Sequence, residues 1–83
     1  MDPTATLARY QDAAARSDWS EAEDAAEDLA LWIARGGCFP RQWGQISHPN
    51  GRKLARFLWS DASRRAEQAE FEAAMADYQP EMV

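Results

Sequence analysis

The chain has 83 residues and a formal net charge of −5, with 46% hydrophobic and 28% charged residues, the balance of a globular chain rather than a disordered one. Cys38 is the single cysteine and His48 the single histidine, which excludes a disulfide framework and a multi-cysteine zinc, iron–sulfur or haem site within one chain. No apolar run approaches the roughly 20 residues that span a bilayer and no basic-then-apolar leader opens the sequence, so the expectation is a soluble cytoplasmic protein without metal or cofactor.

Alanine supplies 17 of the 83 residues, while the β-branched set is limited to Thr4, Thr6, Ile33, Ile46 and Val83. Alanine loses no side-chain entropy in a helix and strands favour the residues that are scarce here. The prediction is an all-α fold: one small three-helix domain over 1–83, with an antiparallel hairpin, an aromatic-rich loop and a long C-terminal helix.

The first helix is expected over about 4–16. Asp2 can accept the free amides of its first turn, and Pro3 loses nothing where no amide partner exists. Leu7, Tyr10 and Ala14 fall on one face, and Ser17-Asp18 ends the run. The second helix is expected over about 20–35, opened by a capping box between Ser20 and Glu23. Ala22, Ala25, Ala26, Leu29, Trp32 and Ile33 form its apolar stripe, opposite Glu21, Asp24, Glu27 and Asp28. Gly36 or Gly37 can take the left-handed conformation that closes it.

Within these two helices, Leu7, Tyr10, Asp18, Trp19, Ala22, Ala26 and Leu29 resemble one helical hairpin of the tetratricopeptide type. Trp19 stands where the inter-helix tyrosine is usual, and Ala22 where the tightly packed alanine belongs. The pattern departs at Gly36-Gly37, which replaces the proline-marked exit, and no second copy follows although solenoids need about three. The resemblance implies a peptide- or protein-contacting scaffold and no more.

Residues 36–50 read as a loop that carries Cys38, Phe39, Pro40, Trp43 and Ile46. Two readings compete: a flap folded back over the hairpin as core, with a short helical turn near Arg41 to Gln45, or a recognition loop presenting Phe39 and Trp43. Cys38 beside Phe39 is expected to be a small buried hydrophobe rather than a nucleophile, and His48 before Pro49 a turn or capping residue. The third helix is expected from about 51, starting at Asn50 or a residue or two earlier, to about 78, with a tail over 79–83. Its apolar side is drawn through Leu54, Phe57, Leu58, Ala62, Ala69 and Ala73, with Phe71 and Met75 toward one edge and Trp59 toward the other. At about 1.5 Å per residue it outruns the hairpin, so its second half either bends after Ser60 to Ser63 or packs on another chain.

Charge comes in three blocks. Residues 1–34 carry eight carboxylates against Arg9 and Arg16, a net −6; residues 35–65 carry seven cations against Asp61, a net +6; residues 66–83 hold five carboxylates, −5. The plainest expectation is that acidic and basic helices neutralise one another across the fold. A sharper one places an anion site at Arg41, Arg52, Lys53 and Arg56, where free amides of a helix start would add to the pull. No Walker glycine loop accompanies it, and the acidic flanks argue against nucleic acid. Protein binding, or pairing with a second copy, is assigned to Phe39, Trp43, Trp59 and Leu31, because large aromatics dominate interfaces. No catalytic residue is assigned, and the chain is read as a non-catalytic binding or accessory module.

Overall fold

In a computed structural model that describes residues 1–76, the alanine-rich segments form three α-helices. They are α1 (Pro3–Ala15), α2 (Trp19–Ala34) and α3 (His48–Ala76), with a single 3-10 turn at Arg41–Trp43 in the connection before α3. Helix α2 is central and packs against both α1 and α3. The expected end of the third helix near 78 and the tail 79–83 lie outside the described residues.

The start of α1 follows from its first two residues. The Asp2 carboxylate accepts from the amides of Thr4 (3.0 Å) and Ala5 (3.3 Å), and Pro3 occupies the first turn. Its end is set by Ser17, which takes a left-handed φ of 57°. The Ser17 amide donates to Ala14 and the Asp18 amide to Ala13, so the last carbonyls of α1 are satisfied in the manner usually supplied by glycine.

That turn also corrects the expected opening of α2. The cap is Asp18, not Ser20: its carboxylate accepts from the Glu21 amide at 3.3 Å, and Ser20 already lies inside the first helical turn. Once Ser17 reverses the chain, the next residue is the first positioned to cap, and Asp18 followed by Glu21 has the same capping spacing that Ser20 and Glu23 suggested. At the far end, Gly36 (φ 89°) donates to Ile33 and Gly37 to Trp32, a Schellman closure.

The core lies between α2 and its two neighbours and is built largely from small residues. One cluster holds Leu7, Leu29, Ala30, Ile33 and Ala55; the other holds Ala13, Ala22, Ala26 and Ala62. Ala55 beside Ile33, and Ala62 beside Ala22, make α3 antiparallel to α2. Tyr10, Leu58 and Trp59 pack against both clusters and fill the wider gaps.

Helix α3 begins at His48, two residues before Asn50 and so at the early end of the expected range, because Ser47 starts it. The Ser47 carbonyl accepts from Gly51 (2.8 Å) and its hydroxyl from the Asn50 amide (3.4 Å). The face it turns inward overlaps the expected one at Leu58 and Ala62 and departs from it at Phe57, Ala69 and Ala73. Gly51, Ala55 and Ala62 are buried, whereas Phe57 is 59% exposed and Ala69 and Ala73 stand in solvent. An alanine-lined hairpin admits a close helix approach, and that approach selects the small-residue face of α3 over the face with the largest side chain.

No bend occurs after Ser60 to Ser63: α3 is one helix from His48 to Ala76. Its 29 residues correspond to about 43 Å, against about 24 Å for the 16 residues of α2. Near the end of the hairpin the Arg65 guanidinium lies 4.8 Å from the Trp19 ring centre and also bonds Asp61 at 3.0 Å. From Glu67 to Ala76 every residue of α3 is exposed. The principal extents are 61 × 21 × 17 Å, and the 15.9 Å radius of gyration exceeds the roughly 12 Å of a compact chain this long.

Candidate functional site

The segment between α2 and α3 is pinned at several points. The Trp32 indole N–H donates to the Cys38 carbonyl at 3.0 Å. The Arg41 amide donates to the Thr4 hydroxyl, and the Gln42 side-chain amide donates to the Thr4 carbonyl, both at 3.0 Å. Pro40 is buried, and Phe39 and Trp43 are half-buried against the core cluster. The Phe39 ring lies over Gly51, with ring centres 5.9 Å from Trp43 and 5.0 Å from His48. Both aromatics therefore commit an inner face to the domain. Cys38, expected to be buried, is exposed instead; its carbonyl rather than its thiol is what the fold uses.

The basic candidates separate into two places. Arg41 sits on the 3-10 turn, held to the start of α1 through its backbone. Arg52 and Arg56, one turn apart on α3, line a cleft of about 220 Å³ whose other wall is Ala30, Ile33 and Ala34. Lys53 joins them on an open groove with His48 and Pro49. Cations over an apolar wall suit a carboxylate or phosphate carried on an apolar group.

The ion pairs correct the expected neutralisation across the fold. Arg9 pairs with Glu21 and Asp28, and Arg16 with Asp12 and Asp18, all within the first block. Asp61 takes Arg64 and Arg65, within the second block. Among the described residues no salt bridge joins one block to another, and Arg35, Arg41, Arg52, Lys53 and Arg56 make none. Hydrogen bonding to Glu21 is the main reason that the Arg9 guanidinium holds its proton above the ordinary arginine value.

The exposed large apolar side chains are concentrated on α3. Phe57, Phe71 and Met75 are 59%, 61% and 49% exposed, and Leu31 on α2 is 43% exposed. At 100° per residue, the 18 positions from Phe57 to Met75 make five full turns, so these two point the same way, with Phe71 40° to the side. This outer stripe is roughly opposite the buried face of Gly51, Ala55 and Ala62. Trp59 turns inward against both core clusters and lends an edge to a groove with Arg56, Ser60, Ser63, Arg64 and Glu67. Sequence reasoning missed Phe57 as a surface residue; the small-residue spacing Gly51, Ala55, Ala62 was the signal that could have found it.

Among the described residues, no group of three or more His, Cys, Asp and Glu side chains is placed to hold a metal ion, and no helix is long and apolar enough to cross a membrane. The chain matches no protein-family model, and searches of curated proteins and of solved structures return no match.

Proposed function

We propose that the protein is a non-catalytic protein-binding module acting through the outer face of α3. The observation that carries this reading is the stripe of Phe57, Phe71 and Met75, three large apolar side chains left in water on one face of a helix that outruns its own domain. Scattered apolar exposure is ordinary, but aligned apolar groups at helical spacing are how one helix docks on another. Phe39 and Trp43 serve in this reading as a brace: with one face spent on the core, they hold the 36–47 segment and leave α3 to make the contact.

The test is capture of proteins from nuclease-treated lysate by the immobilised chain and by a double variant, Phe57→Ser with Phe71→Ser. A defined protein, a second copy included, that is retained by the native chain and lost by the variant is the expected result. Equal retention by both, or nothing but nuclease-sensitive material, contradicts it. The cleft at Arg52 and Arg56 favours one other reading, contact with an anionic ligand, because neither guanidinium has a carboxylate partner among the described residues. Under that reading binding to RNA or DNA weakens steeply with salt and depends on Arg52 and Arg56.

A further inference from the structure

We infer that the partner of α3 is a second copy of this chain, paired antiparallel along the stripe of Phe57, Phe71 and Met75. The inference rests on the reading of this face as a docking surface and names its occupant. Charge carries the choice. Residues 48–65 of α3 hold Arg52, Lys53, Arg56, Arg64 and Arg65 against Asp61, while residues 66–76 hold Glu67, Glu70 and Glu72 and no cation. The helix is thus basic over the half that lies on the hairpin and acidic over the half that projects.

Two copies laid antiparallel set each acidic half on the other's basic half; a parallel pair would oppose like charges. The arrangement is isologous, so it closes at two subunits. It also covers what the monomer leaves bare. The overhang of one copy gains packing over the supported half of the other, and a helical end without packing is only marginally stable in water. From Phe57 to Met75 the seam runs about 27 Å, with Phe57 at one end, Phe71 and Met75 at the other, and Arg64, bonded to Asp61, between them. The unpaired Lys53 and Arg56 flank the stripe on one half, and Glu67 and Glu70 flank it on the other.

Sedimentation equilibrium of the full chain at low ionic strength tests this, together with two charge-reversed variants. One carries Lys53→Glu and Arg56→Glu, the other Glu67→Lys and Glu70→Lys; all four side chains are exposed and make no salt bridge among the described residues. The native chain is expected to rise with concentration from 9.4 kDa to twice that mass. Each variant alone is expected to associate at least about tenfold more weakly, because like charges then meet across the seam, and an equimolar mixture recovers association through the restored complement. Circular dichroism confirms that the variants keep their helix content. A native chain that stays monomeric into the high-micromolar range overturns the inference, as does a dimer indifferent to the reversals or a mixture that fails to recover. If self-association fails while protein capture still depends on Phe57 and Phe71, the docking surface stands and only its occupant is wrong.

Discussion

Gly51 shows how one missing side chain can position an element. The Phe39 ring occupies the place where a Cβ at position 51 would sit, so the connection and the first turn of α3 touch through ring and backbone. Alanine is the better helix former by about 1 kcal/mol, yet overpacking costs about 1–3 kcal/mol. Gly51→Ala is therefore expected to lower stability by about 1 kcal/mol in urea denaturation. In a Phe39→Ala background the same change is expected to raise stability, which separates the ring contact from helix propensity.

Tyr10 gives a second effect at this scale. Burial, with repulsion from Asp61 added, holds its phenol above the ordinary value of 10.0, while Arg65 acts the other way. The folded chain thus binds the phenolic proton more tightly than the unfolded chain. Stability is full below pH 10 and falls as pH rises past that value toward the raised folded one. Denaturation midpoints taken between about pH 8 and about pH 11 are expected to show this decline, and Tyr10→Phe to reduce its slope.

At the scale of elements, caps and closures decide where helices begin and end. Asp18→Ala removes the side-chain acceptor at the start of α2 and is expected to cost about 1 kcal/mol, while Ser20→Ala is expected to be near neutral. Thermal melts of the two variants check the pair; equal losses would mean that Ser20 shares the cap. Three helices, the hairpin and the Gly36 closure were legible because alanine content, a period of 3.6 and left-handed glycine act locally. The capping register of α2 was not, since it depended on which residue absorbed the reversal after α1, and Ser17 does so without being glycine. The buried face of α3 was legible only in part, at Leu58 and Ala62. Amphipathic reasoning assigns the largest side chains inward, whereas a neighbour lined with Ala22, Ala26 and Ala30 favours Gly51, Ala55 and Ala62.

For the whole molecule, the distribution of unused chemistry matters more than any single residue. The ion pairs are satisfied inside each charge block, so the basic start and the acidic end of α3 remain available to another chain. The sequence pointed to aromatics as the contact and named Phe39, Trp43, Trp59 and Leu31. The fold turns the first three toward the core and leaves Leu31 on α2, with Phe57, Phe71 and Met75 together on α3. Only the small-residue spacing of Gly51, Ala55 and Ala62 hinted at that redistribution, because exposure on α3 is fixed by its packing on α2 rather than by its own pattern.

The most direct test of α3 as the docking face is site-specific photocrosslinking in cells, with a photoreactive phenylalanine analogue placed in turn at positions 57, 71 and 43. Discrete protein adducts are expected from 57 and 71 and none from 43. Adducts from 43 alone would return the contact to the loop, and the absence of protein adducts from 57 and 71 would rule out α3 as the docking face.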